Sequence, residues 1–224
     1  MRLYPLDKAV LKLRPQPIPF LNGLTSNEMD AAHNAFVNLH GRIIATFDQL
    51  KINDEEFLIV LEKPFLSAVL EHLDRYRRLA GVTIETVEAQ VYFDLDADTS
   101  LNTDDYVLAQ KKGRLIVTKR VLSPNIREEE FTLFRLANNI PLQGKDYTDE
   151  FLLNINETDF VSFTKGCFLG EEPISKVHNR SKPTWLLMVK DQDQCSDEEK
   201  QKMTSKAMDP KSQRTLGFVF VKNE

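Results

Sequence analysis

Lys165-Gly166-Cys167-Phe168-Leu169-Gly170-Glu171-Glu172 gathers a cation, a thiol, two glycines and two carboxylates into one short run. Gly166 and Gly170 let the backbone turn sharply and approach a ligand on either side of the cysteine, and Lys165 is placed to favour a Cys167 thiolate. A buried turn cysteine, acting as a small hydrophobe, satisfies the same pattern. Glu171 and Glu172 have two readings as well: carboxylates that accept hydrogen bonds from a ligand, or charges that compensate the N-terminus of a helix over Ile174 to His178.

Outward from that run, composition bounds the protein class. The chain has 224 residues, 42% of them hydrophobic and 28% charged, enough for one sizeable core or two small ones in a globular protein. Apolar runs such as Phe57-Leu58-Ile59-Val60-Leu61 fall far short of the roughly 20 residues of a membrane-spanning helix, so no membrane partner is expected. The first residues, Met1 to Lys8, have neither the apolar centre of a secretory signal nor the Arg/Ser richness of a transit peptide, which points to a cytoplasmic protein. A net charge of -5 argues against nucleic acid as a partner. Cys167 and Cys195 form no disulfide framework, and two sequons, Asn156-Glu157-Thr158 and Asn179-Arg180-Ser181, are taken as chance matches. His33, His40 and His72 are expected on helices without ligand spacing, so no metal site is expected. His178 is either a proton-transfer group or a surface residue.

The periodicities predict helices mixed with antiparallel hairpins. Thr25-Ser26-Asn27-Glu28 reads as a capping box, with Met29, Ala32, Phe36 and Leu39 at helical spacing up to Gly41. A hairpin follows, with Arg42 to Leu50 and Phe57 to Leu61 joined through Asn53-Asp54. A second helix begins near Pro64 and ends at Gly81, with Leu66, Val69, Leu70, Leu73 and Tyr76 as its apolar stripe. Strands are predicted within Val82 to Leu95, then at Tyr106 to Ala109 and Arg114 to Val121 around Lys111-Lys112-Gly113. Another helix starts near Asn125-Ile126-Arg127-Glu128, and Pro141 is expected to terminate it. Asp191 to Lys200 is polar and acidic and reads as a mobile loop carrying an exposed Cys195. The fold class is α+β.

The segment Phe160 to Glu172 resembles the signature of the YgfZ family of folate-binding proteins, roughly Lys-Gly-Cys-aromatic-x-Gly-Gln-Glu, and departs from it at Glu171. Phe20-Leu21-Asn22-Gly23-Leu24-Thr25-Ser26-Asn27 is similar to the family's opening stretch and Gly41-Arg42-Ile43 to its Gly-Arg-Ile. Arg135 to Pro141 is similar to its Arg-x-x-x-Gly-Ile-Pro, with Asn139 for glycine, and Leu216-Gly217-Phe218-Val219 echoes a closing strand. Past the signature, Lys176 and Ser181 stand where the family has arginine and glycine, so ligand geometry is expected to differ.

The resemblance implies an aminomethyltransferase-like folate-binding fold with a shortened C-terminal β-barrel. Expected domain limits are 1-47 and 118-182 for a first α+β unit carrying the signature, 48-117 for a second, and 183-224 for the reduced barrel. It implies tetrahydrofolate or a derivative as cofactor, and iron-sulfur client or assembly proteins as partners. Cys167 is the implied working residue, with Lys165, Gly166, Gly170, Glu171, Glu172 and Lys176 around the ligand. A folate-dependent one-carbon transferase, and an interaction module that keeps the fold without a ligand, are the alternatives.

Overall fold

A computed structural model of the chain describes residues 1–155 and 157–223, so Asn156 of the first sequon lies outside the described residues. Along the chain run β1 (Leu3–Leu6), β2 (Lys8–Arg14), α1 (Pro17–Asn22), β3 (His33–Val37), β4 (Ile43–Lys51), β5 (Phe57–Glu62), α2 (Leu66–Ala80) and β6 (Thr83–Thr86). Next come β7 (Gln90–Asp94), β8 (Tyr106–Ala109), β9 (Arg114–Thr118), α3 (Glu128–Ala137), α4 (Glu157–Phe160) and α5 (Glu171–Arg180). The C-terminal part holds β10 (Trp185–Asp191), α6 (Asp197–Lys202), β11 (Thr204–Asp209) and β12 (Arg214–Lys222).

Three antiparallel sheets result: β3-β4-β5-β2-β6, β1-β7-β9-β8 and β10-β12-β11. The five-stranded sheet is covered on both faces, which explains why β5 is apolar throughout. Phe57, Ile59 and Leu61 of β5 join Leu11, Leu13, Val69 and Leu73 on the α2 side, whereas Leu58 and Val60 join Val10, Val91, Phe93 and Val117 on the side of the four-stranded sheet. Each such Leu or Ile, fully withdrawn from water, contributes about 1.5–3 kcal/mol. A further apolar cluster unites Val37 and Ile43 with Leu136, Phe168, Ile174, Leu187 and Phe218, and so joins the signature to the C-terminal sheet. The expected limit between residues 47 and 48 falls inside β4, whose partners β3 and β5 belong to the same sheet.

The hairpin of β4 and β5, α2 with Gly81 at its C-terminus, and the strands β6 to β9 lie where periodicity predicts them. The predicted helix from Thr25 to Leu39 does not form; its second half is strand β3. Tertiary hydrogen bonding overrides the helical spacing. The Thr25 hydroxyl donates to the Leu21 carbonyl oxygen at 3.0 Å, and the buried Asn34 amide closes the preceding loop, accepting from Asn27 N at 2.7 Å and donating to Gln49 Oε1 at 3.1 Å. His33 therefore lies on a strand and His40 in a turn, and only His72 is on a helix as expected.

The acidic segment after β10 is not a loop throughout. Ser196 and Glu199 form a reciprocal capping box at α6, and Cys195 is buried with Met203 and Val219. That helix has no apolar stripe of its own; its cap and its acidic first turn hold it, so hydrophobic periodicity gives no sign of it. The shortened C-terminal part is the three-stranded sheet, hydrogen-bonded to a buried ion pair at α3. Arg135 Nη1 donates to Asp146 Oδ2 at 2.7 Å, Arg135 Nη2 donates to Ser205 Oγ at 2.7 Å, and the Thr204 hydroxyl donates to Asp146 Oδ1 at 2.9 Å. Asn139 has φ 52°, the left-handed conformation that the glycine of the family turn would take and that Asn tolerates.

Candidate functional site

The signature forms a bend anchored at both ends. Lys165 directs its ammonium to the loop before β3, donating to Thr25 O at 2.6 Å and Asn27 O at 2.7 Å, with Thr25 Oγ1 at 3.4 Å and the Phe168 ring centroid at 5.4 Å. Burial lowers its pKa to about 8, against the opposing pull of Glu28 and Glu171. The lysine is thus a clasp between two loops, directed at backbone carbonyls. Phe168 and Ile174 anchor the bend in the core, while Gly166 and Cys167 are exposed. Gly170, at φ 84°, is the N-cap of α5 and is followed by Glu171 and Glu172 in the first turn, where carboxylates meet the positive end of the helix. Lys176 is exposed on α5, and His178 stacks on Phe163 with ring centroids 3.6 Å apart.

A cleft between the five-stranded and four-stranded sheets lies apart from these side chains. Its floor is the polar end of one sheet face: Lys8 of β2, Thr46 and Asp48 of β4, and Glu62 of β5. Lys8 Nζ lies 2.8 Å from Glu62 Oε1 and 3.4 Å from Asp48 Oδ2, with only 8% of its side chain exposed. Asp48 also pairs with His33 Nδ1 at 2.9 Å and accepts from Gln110 Nε2 at 2.9 Å. Burial would raise the Asp48 pKa, but the charge of Lys8 and the bonds from His33 and Gln110 prevail and bring it to about 2. Tyr147 and Thr46 share a hydroxyl hydrogen bond at 2.7 Å, and burial pushes the Tyr147 pKa up. Leu115, Phe131, Ile140 and Leu142 supply apolar wall. The cleft is narrow: the space that admits water is about 70 Å³.

None of Lys165, Gly166, Cys167, Gly170, Glu171, Glu172 and Lys176 lines this cleft. The link between them is the loop before β3. Asn27 Nδ2 donates to Asp159 O at 3.0 Å and the Ser26 hydroxyl donates to Phe160 O at 2.6 Å, and Asp159 and Phe160 form part of the cleft wall. The cleft residues escape sequence reading because they are scattered over three strands. The available signal is a charge interrupting an apolar strand at an inward position, as Asp48 does after Phe47 and Glu62 does after Leu61.

No family model matches the chain. It is 23% identical to "Iron-sulfur cluster assembly factor IBA57 homolog, mitochondrial" of Dictyostelium discoideum, over 73% of this chain and 55% of that protein. It is 24% identical to "Iron-sulfur cluster assembly factor IBA57, mitochondrial" of Mus musculus, over 77% of this chain and 61% of that protein. The chain thus spans between half and two thirds of the length of these relatives. Its fold superposes on the crystal structure of the glycine cleavage system aminomethyltransferase T from Bartonella henselae with a TM-score of 0.74, covering 98% of this chain and 78% of that one at 13% identity. The chain is similar in sequence to IBA57 factors and has the aminomethyltransferase fold. Both findings bear out the resemblance to the YgfZ family. Among the described residues no helix is long and apolar enough to cross a membrane.

His33 gives the cleft a pH signature. Burial disfavours its cation, but the hydrogen bond and charge of Asp48, aided by Asp159, outweigh burial and raise its pKa above 6.5. Stability from this pair is complete below the unfolded value and is lost as pH rises through the folded one. The stability difference between the wild type and His33→Gln, measured by urea unfolding, is expected to shrink between pH 6 and pH 8.5. A difference constant over that range would show that His33 does not titrate against Asp48.

Proposed function

We propose that this protein is a cytoplasmic accessory factor for the assembly or repair of iron-sulfur proteins, binding tetrahydrofolate or a derivative in the cleft and acting through Cys167. One observation carries the reading: the thiol of a buried-anchored bend is exposed, between Lys165, clasped to the Thr25–Asn27 loop, and Gly170, packed against Asn38. A cysteine sulfur held rigidly at a surface can serve as a transient ligand for iron carried by a partner. Iron-sulfur client or assembly proteins are that partner. The names of the IBA57 relatives and the aminomethyltransferase fold support this.

The cleft offers what a reduced pterin needs, namely carboxylates for its N-H edge, apolar walls for its rings and a cation, Lys111, at the rim for its anionic tail. On this reading Glu171 and Glu172 stabilise α5, and Asp48 or Glu62 accepts from the pterin. In a strain lacking the gene, the activity of a [4Fe-4S] enzyme is expected to fall, to recover with the wild type and with Cys195→Ala, whose thiol is buried, and not to recover with Cys167→Ala. Full recovery with Cys167→Ala would contradict the proposal. The narrowness of the cleft favours a second reading, a folded interaction module without ligand, which a folate titration separates from the first.

A further inference from the structure

Cofactor sites generally run to roughly 300–1,000 Å³. The cleft, with about 70 Å³ open to water, is far smaller, so part of its wall must move for a pterin-sized molecule to enter. The wall elements differ greatly in how firmly they are held. Lys8, Asp48 and Glu62 belong to inner strands of the five-stranded sheet, and Phe131 belongs to α3, whose Arg135 is locked to Asp146. The tip of the β8–β9 hairpin is different. β8 is a four-residue outer strand next to β9, and among the described residues Gln110 and Lys111 make polar contacts from the tip across the cleft.

We infer that Gln110 and Lys111 form a latch over the mouth of the cleft, closed by the Gln110 bond to Asp48 and the Lys111 ion pair to Asp159, and opened to admit the ligand. Gln110 Nε2 donates to Asp48 Oδ1 at 2.9 Å, and Lys111 Nζ lies 2.6 Å from Asp159 Oδ2. The β9 end of the turn is fixed, since a Cβ on Gly113 would lie 2.5 Å from Asp94 O and 2.8 Å from the Phe93 ring, which leaves Gln110 and Lys111 at its β8 end. The opposite side is fixed too, through Asn27 Nδ2 on the Asp159 carbonyl oxygen. Between these supports the side chains of Gln110 and Lys111 bridge the gap. Lys111 is 43% exposed at its side chain, so its ion pair is of the weak, breakable kind. A ligand with a carboxylate tail replaces one anion by another at Lys111, and opening then retains its ionic partner. The inference rests on the cleft being the ligand site.

The test does not need the folate to bind. His33 lines the cleft and His40 is exposed elsewhere, so diethyl pyrocarbonate labelling of the two, resolved by peptide mass spectrometry, reports how often the cleft opens. Lys111→Ala is expected to accelerate His33 labelling about fivefold, the upper range for loss of one exposed ion pair, without changing His40. Gln110→Ala, which removes the other contact and leaves the charges around His33 in place, is expected to accelerate His33 labelling in the same direction. Hydrogen exchange at residues 109–113 should follow the same pattern. Unchanged His33 labelling in both Lys111→Ala and Gln110→Ala would overturn the latch. Absence of any tetrahydrofolate binding to the wild type would overturn the function proposed above and leave the labelling result to judge the latch.

Discussion

Asp146→Ala is expected to lower the unfolding free energy by about 3–5 kcal/mol, because it leaves the Arg135 guanidinium charged and unpaired in the interior. Both side chains are 0% exposed, and Asp146 also accepts from Leu142 N at 2.9 Å and from the Thr204 hydroxyl at 2.9 Å. The loss should appear in an equilibrium denaturant titration and should release the C-terminal sheet first, since Thr204 and Ser205 of β11 rely on the same carboxylate. Replacing the pair together, Arg135→Met with Asp146→Leu, should cost much less than Asp146→Ala alone, since no lone charge then remains buried. A cost below about 1 kcal/mol for the single variant would mean that the interior readily admits water at this point.

Gly170→Ala is expected to cost about 2–4 kcal/mol, combining a left-handed backbone with overpacking. At φ 84° an added Cβ would clash with the Asn38 carbonyl oxygen and lie 2.9 Å from Val37 Cγ2, and neither backbone can retreat without disturbing β3. Gly166→Ala, in the same signature, should be nearly neutral in stability, within about 0.5 kcal/mol, because nothing lies within 4 Å of the added atom. Thermal unfolding of the two variants side by side measures the contrast. Equal losses would show that the bend is not held against Asn38 as described.

These two glycines look alike in the sequence and differ in backbone conformation and tertiary contact, neither of which the chain reveals unaided. The α+β class, the β4–β5 hairpin and α2 were legible because local pattern and tertiary demand agree there: β5 is apolar throughout and buried on both faces, and Gly81 takes the left-handed cap at φ 68°. The Thr25 to Leu39 segment was not legible. Its helical spacing of Met29, Ala32 and Phe36 is real, but Asn27 and Asn34 satisfy each other's amides across a loop, a pairing that only the folded chain brings about. Strand β2 is not legible either, because Lys8 and Lys12 disguise a largely buried strand whose ammonium groups pair with Glu62 and Glu56. The signature is legible by its density of reactive types, but the cleft is not, because its floor is assembled from one or two residues each of β2, β4 and β5 brought into register.

Titration of tetrahydrofolate into the protein, followed by calorimetry and thermal unfolding, tests the central claim most directly. At a hundredfold excess over Kd, one site binding only the folded state raises stability by about 2.7 kcal/mol, or roughly 5–10 °C in Tm at this chain length. The account predicts such a shift for the wild type, for Cys167→Ala and for Glu172→Ala, and its loss in Asp48→Ala, whose carboxylate lies on the cleft floor. No heat and no shift with folded wild-type protein, or a shift abolished by Glu172→Ala and kept by Asp48→Ala, would contradict it.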